Sequence, residues 1–356
     1  MMRLLICAPD IFEGDAVGNH CLGLAAMAER SGWDSRTYAK GFDTSVSQVQ
    51  PIESLFSEAT SEDLLYVSYS IADPLLERLL ALPCKKICYF HGITDPALLR
   101  EFEPVTADLC EQAMAQLPKL AGFDVIVANS MHVAHDLAPY VDVSSVVVIP
   151  PVFDNLPTLG NNAIANRNPT TFNMLVLGRV VPHKRIEDAI EVLARVVDGG
   201  VDATMTIVGS MPNYDYSKFL LKRARTLGIL TRIDFTGMVD DADLLSSYDR
   251  ASLLLSMSRH EGFCIPALEA MYRGIPAVVR AGHAAAEVVS DAGLVIDKHE
   301  TSGQIAEQIL ALRSDASRWD ALTRRARVRA GVLLELTSSQ HWAEVFDRAL
   351  RGANTP

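Results

Sequence analysis

No stretch of this sequence is long and apolar enough to cross a bilayer; its hydrophobic runs are short and broken by proline or charge. The opening Met1-Met2-Arg3-Leu4-Leu5-Ile6-Cys7-Ala8-Pro9 reads as a buried strand rather than a signal peptide, because its apolar stretch stops at Pro9. The chain also lacks a C-x2-C pair. Its six cysteines stand at 7, 21, 84, 88, 110 and 264 in apolar or helical contexts, and Cys84 and Cys88 have no companion His or Cys at zinc spacing. Free thiols in a reducing cytoplasm are the expectation. Neither a G-x-G-x-x-G nor a P-loop lysine motif occurs, which argues against a dehydrogenase and against a phosphate-transferring ATPase. Positive charge is scarce in the first half: residues 1–150 hold 9 Lys and Arg against 20 Asp and Glu, in a chain of formal net charge −12. Such a surface excludes nucleic acid as a partner and weakens any basic-patch docking on anionic lipid, leaving at most peripheral membrane contact.

What is present is a 356-residue chain, 49% hydrophobic and 21% charged, which is globular and too long for one ordinary core. Short β-branched runs alternate with helical stretches, the pattern of parallel α/β layers. Strands are expected near Leu4–Cys7, Leu64–Val67, Lys86–Phe90, Val125–Ala128 and Val146–Ile149, with a helix from about His20 to Arg30. A Pro- and Asn-rich stretch then precedes a second opening of the same kind: a strand at Met174–Leu177, a glycine loop and a helix that Gly199-Gly200 stops. Further strands are expected at Thr204–Val208, Arg232–Thr236, Leu253–Ser256 and Ala277–Arg280, and a last helix at about 338–351. The domains expected are 1–152, a linker over 153–171, 172–333, and a terminal helix within 334–356. Two doubly wound domains bind ligands at the C-terminal ends of their strands.

The residues 259–271, Arg-His-Glu-Gly-Phe-Cys-Ile-Pro-Ala-Leu-Glu-Ala-Met, place two carboxylates, Glu261 and Glu269, eight positions apart across a turn into a helix that begins near Pro266. A helix N-terminus attracts anions, and adjacent carboxylates accept from hydroxyls. Capping of the helix dipole alone would account for the bare spacing. Gly178-Arg179-Val180-Val181-Pro182-His183-Lys184 follows the first strand of the second half and sets Arg179 and Lys184 at its C-terminal edge, suited to a diphosphate.

Together, Gly178-Arg179 with Lys184, Glu261-Gly262-Phe263 with Glu269-Ala270-Met271, and Gly274-Ile275-Pro276 resemble the donor site of glycosyltransferase family four, retaining enzymes of the GT-B fold. Tyr89-Phe90-His91-Gly92-Ile93-Thr94, Phe102-Glu103-Pro104 and Ala128-Asn129-Ser130 resemble the first domain of its bacterial polysaccharide mannosyl- and glucosyltransferases. Gly14-Asp15-Ala16-Val17-Gly18-Asn19 matches their glycine-rich first loop.

The resemblance implies two Rossmann-like domains facing a central crevice, with a C-terminal helix crossing back to the first. It also implies transfer of a hexose from a nucleotide sugar to a glycan or lipid-linked glycan hydroxyl in polysaccharide synthesis. Arg179 and Lys184 would hold the diphosphate, Glu269 the ribose, and Glu261 the transferred sugar. Backbone around Gly262, Phe263 and Cys264 would touch sugar and phosphate, main chain at Met238 and Val239 the base, and Gly14 the donor from the other domain. Asp15, Gly18, His91 and Gly92 would serve the acceptor, with His91 emerging after its strand as the catalytic-side residue of the first domain. Cys264 replaces a common glycine, and Gly92 stands where relatives often carry Asn. The His-Glu-Gly-Phe-Cys run tilts the donor to GDP-mannose.

Asp241-Ala242-Asp243 spells the metal motif of another glycosyltransferase fold, but it opens a helix, where acidic residues cap. No metal and no cofactor beyond the nucleotide co-substrate is expected. The alternatives are an epimerase or a sugar-phosphate synthase on the same scaffold, or a non-catalytic nucleotide-sugar-binding subunit.

Overall fold

A computed structural model of the chain describes residues 2–12, 14–43, 48–152 and 171–351. The linker expected over 153–171 lies, except for Thr171, outside the described residues. The chain divides into two compact units: residues 1–93, 108–156 and 334–356 form one, and 94–107 with 157–333 the other.

In the first unit, β1 (Arg3–Ile11), β2 (Asp34–Phe42), β3 (Val49–Pro51), β4 (Leu64–Tyr69), β5 (Lys85–Phe90), β6 (Val125–Ala128) and β7 (Val147–Val148) build one sheet among the described residues. Their order is β3-β2-β1-β4-β5-β6-β7, with every recorded pairing parallel. A parallel sheet is covered on both faces, so its central strands are continuous apolar runs, and β4 is buried throughout. The helices of this part of the chain are α1 (Ala16–Arg30), α2 (Ile52–Glu58), α3 (Leu76–Leu80), α4 (Pro104–Gln116) and α5 (Met131–Asp136).

Sequence pattern missed β2 and β3. The run Asp34-Ser-Arg-Thr-Tyr-Ala-Lys-Gly-Phe42 has no apolar stretch because it lies toward the sheet margin, between β1 and the short edge strand β3. The first loop is also shorter than expected. Residues 16–19 are already helical, and Asp15 caps α1 by accepting from the Val17 amide.

The second unit repeats the plan with β8 (Phe172–Leu177), β9 (Ala203–Val208), β10 (Ile233–Gly237), β11 (Leu253–Ser256), β12 (Ala277–Arg280) and β13 (Leu294–Ile296), ordered β10-β9-β8-β11-β12-β13. The three-residue β13 was not expected from sequence. Between and after these strands run α6 (Ile186–Asp198), α7 (Tyr214–Thr226), α8 (Asp241–Arg250), α9 (Ile265–Tyr272), α10 (Ala284–Val289), α11 (Ser302–Ser314) and α12 (Ala316–Glu335). On α6, Ile186, Ala189, Ile190, Leu193 and Val196 are buried on one face at helical spacing.

The terminal helix α13 (Ser339–Arg351) belongs to the first unit. Trp342, Val345, Phe346 and Ala349 join the core that holds Leu4, Tyr66, Tyr89 and Val127. The expected return of the last helix to the first domain is therefore observed.

Candidate functional site

Strand order reverses direction in the second unit between β8 and β11, the switch point where doubly wound sheets bind ligands at strand C-termini. The two segments singled out in the sequence lead from those two strands. Gly178 to Lys184 leaves β8, and Met257 to Glu261 leaves β11 on the way to α9.

The structure joins them directly. Lys184 Nζ lies 2.7 Å from Glu261 Oε1 and 2.9 Å from Oε2. Ser258 Oγ donates to the same Oε1 at 2.6 Å. Burial alone would raise the Glu261 pKa, but the Lys184 ammonium and the Ser258 hydroxyl overturn that and hold the carboxyl down to about 2. His283 caps α10 by accepting the Ala285 amide at Nδ1, so its Nε2 carries the proton and donates to the Ser258 carbonyl at 2.8 Å. A chain of side chains from α10 thus fixes the loop that carries Glu261.

Glycine gives this end of the sheet its room. Gly178 has φ +130, and a Cβ on it would stand 3.7 Å from the Lys184 Cε. Gly209, just past β9, has φ +142, and a Cβ there would sit 2.1 Å from the Gly178 carbonyl oxygen. No other residue fits that approach. Arg179 is exposed on its loop, within electrostatic reach of the partly buried Glu103. His183, beside Lys184, is driven down to about pKa 3 by burial and by the Lys184 charge, so it is neutral at physiological pH.

Glu269 lies on α9, whose entry residue Cys264 holds the left-handed backbone, φ +88, with no side-chain cap. That conformation is why glycine suits the position and why cysteine there carries strain. Burial raises the Glu269 pKa, and the Tyr248 hydroxyl, which donates to Oε2, opposes the rise. Phe263 is buried, Gly262 is partly so, Met238 is 70% exposed past β10, and Val239 is half-buried. Asp241 and Asp243 fall in the first turn of α8, where Asp240 supplies the cap by accepting from the Asp243 amide.

In the first unit, His91 follows the end of β5 as expected. Its Nε2 sits 2.7 Å from Ser68 Oγ, and burial pushes its pKa down to about 3. It is a neutral hydrogen-bonding group rather than a general acid at neutral pH. Gly92 takes φ +85 and is buried. Gly14, φ +79, donates its amide to Asn19 Oδ1 at 3.0 Å. Gly18 departs from the loop reading: it is buried in α1, where a Cβ would come within 2.0 Å of the Phe12 carbonyl oxygen, and Asp15 is engaged as the helix cap.

His20, on α1, is a core group. Its Nδ1 accepts the Val152 amide, its other nitrogen meets the Tyr66 hydroxyl, and its ring stacks on Tyr89 at 4.2 Å. Arg329 donates to the carbonyls of Val288 and Glu287, and Arg327 to that of Arg273.

Sequence reasoning passed over Tyr248, His283 and Gly209. Ser258, three residues before Glu261, was within reach of motif reading; the others are distant in sequence and carry no local signal.

Two doubly wound parallel sheets of this kind make up the GT-B fold. Residues 161–329 match the family described as glycosyl transferases group 1. Among curated relatives, the GDP-mannose-dependent alpha-(1-6)-phosphatidylinositol dimannoside mannosyltransferase of Mycobacterium tuberculosis is 32% identical over 165 residues, 45% of this chain and 41% of that protein. The O-antigen chain mannosyltransferase B of Escherichia coli is 38% identical over 92 residues, 26% of this chain and 24% of its own length. The chain thus spans less than half of the curated relatives it matches. In fold it is similar to Anabaena HepE in complex with UDP and glucose, with a TM-score of 0.78 at 19% identity, covering 98% of this chain and all of the other.

Proposed function

We propose that the protein is a retaining glycosyltransferase that moves a hexose, mannose from GDP-mannose in the first reading, onto a hydroxyl of a glycan or glycolipid in bacterial polysaccharide synthesis. The observation that carries the proposal is the Lys184–Glu261 pair beside the α9 entry, with Arg179 exposed on the neighbouring loop at the same sheet end. Arg179, Lys184 and the uncapped start of α9 supply positive potential for a diphosphate, so the reading invokes no metal and no cofactor besides the nucleotide co-substrate. Glu269 is assigned to the ribose and Glu261 to the transferred sugar.

The mannosyltransferases among the relatives support mannose, whereas the UDP and glucose bound by Anabaena HepE favour a UDP-sugar as the second reading. In the step envisaged, the bond from the anomeric carbon to the diphosphate oxygen breaks. The acceptor oxygen bonds to the same face, and its proton passes to the departing diphosphate oxygen. The acceptor is assigned to the first unit, near His91 and Gly92. No described helix is long and apolar enough to cross a membrane, and the proposal places the protein in the cytoplasm with at most peripheral membrane contact.

Two measurements test the proposal. A thermal-shift screen of GDP, UDP, ADP and their sugars should give stabilisation by one nucleotide family, lost in Glu269→Ala. Arg179→Ala should lose about 2–4 kcal/mol of transition-state stabilisation, seen as a fall in kcat at saturating donor. A near-normal rate in that variant overturns the role of Arg179.

A further inference from the structure

Tyr248 lies on α8, is 1% exposed, and donates its hydroxyl to Glu269 Oε2 across a sequence separation of 21 residues. Its ring is held in turn. The Arg273 guanidinium lies 5.2 Å from the ring centroid and is tied to Asp249 at 2.9 Å. No described residue donates a hydrogen bond to Glu269 Oε1. A terminal carboxylate torsion is broad and roughly two-fold, so an unsupported glutamate head samples many orientations. A phenol on a buried ring removes that freedom. It occupies one of about four acceptor positions of the carboxylate and leaves Oε1 with the remaining lone pair of Oε2 open.

We propose that Tyr248 is a positioning residue that orients the Glu269 carboxylate toward a vicinal diol, and so sets how strongly the site distinguishes the ribose of a nucleoside diphosphate from a deoxyribose. The inference rests on the assignment of Glu269 to ribose. Chemically, this carboxylate selects for two adjacent hydroxyls and takes no part in reading the base. A site built to hydrogen-bond hydroxyls rejects an analogue lacking them, because its own polar atoms are left unpaired.

The test is calorimetric titration of GDP and UDP, each against its 2′,3′-dideoxy counterpart, with the wild type, Tyr248→Phe and Glu269→Asp. The wild type should bind its preferred ribonucleotide at least about tenfold more tightly than the dideoxy form, the preference that hydroxyl-reading sites can exceed. Tyr248→Phe keeps the ring and removes only the donor, and it should shrink that ratio several-fold. The acid limb of ribonucleotide binding should also move to higher pH, because Glu269 loses a donor that favours its charged form. In turnover, KM for the donor should rise while kcat stays near that of the wild type. Glu269→Asp withdraws the carboxylate from the phenol by one methylene and should lose the same discrimination, which keeps the test open if Tyr248→Phe does not fold. A wild type that binds ribo and dideoxy forms alike overturns the ribose assignment. Discrimination that persists in full in Tyr248→Phe, with an unmoved pH profile, overturns the role of Tyr248 and leaves the ribose assignment standing; discrimination that persists in full in Glu269→Asp overturns both.

Discussion

At the scale of single residues, Lys184 and Glu261 satisfy each other, with side-chain exposures of 19% and 9%. Removing one partner of a buried pair leaves the other charge without compensation, typically at a cost of about 3–5 kcal/mol. Lys184→Met should therefore destabilise the second unit by about 3 kcal/mol in denaturant unfolding. The same pair sets a pH window. The Glu261 pKa is depressed in the folded protein, so its contribution is fully present above the ordinary carboxylate range and is lost as pH falls toward about 2. Lys184→Met should flatten the stability–pH curve across that acid interval, measured by unfolding at stepped pH. The sequence pointed to both residues, but to separate roles. That they bond to each other was hidden, because 77 residues separate them and only strand order brings β8 beside β11.

Elements carry a different kind of information. Central strands such as β4 and β5 were legible because burial on both faces demands unbroken apolar runs. The marginal β2 and β3 were not, since partial exposure permits Arg36 and Lys40 in a strand. The first turn of α1 was hidden for another reason: Gly18 reads as a loop residue, yet it is glycine so that the helix can pass under the Phe12 carbonyl. The terminal helix α13 was legible in period, and Trp342 is its anchor. Fully buried, it packs with Tyr66, Tyr89 and His20 at ring-centroid separations of 5.9, 5.9 and 6.0 Å. Trp342→Ala should cost about 3–5 kcal/mol. The loss should fall on the first unit, seen as faster limited proteolysis within residues 1–93 while sites in 171–333 keep their protection.

Across the whole molecule, His20, His91 and His183 are held neutral by burial, with His91 and His183 at about pKa 3 and His20 well below its ordinary value. Each binds a proton on unfolding in weakly acidic solution but not while folded. A lowered folded pKa gives stability that is complete above the unfolded value near 6.5 and falls away as pH drops below it. Denaturant unfolding at pH 7.5, 6.5, 5.5 and 4.5 should show stability declining through that series. His91→Gln should make the decline shallower, and an unchanged slope would contradict the assignment of His91 as a buried neutral base.

The placement of α13 also bears on how the chain comes into being. Synthesis delivers the first unit's sheet early, but the helix that closes its core emerges only after residues 157–333 have been made. Domains usually fold in the order in which they leave the ribosome. Here that order is inverted: the later unit is complete first, while the earlier one exposes the unclosed side of its core until the last thirteen-residue helix arrives. The nascent chain therefore has an interval, set by translation speed, in which the face of β4, β5 and β6 that α13 covers is still open.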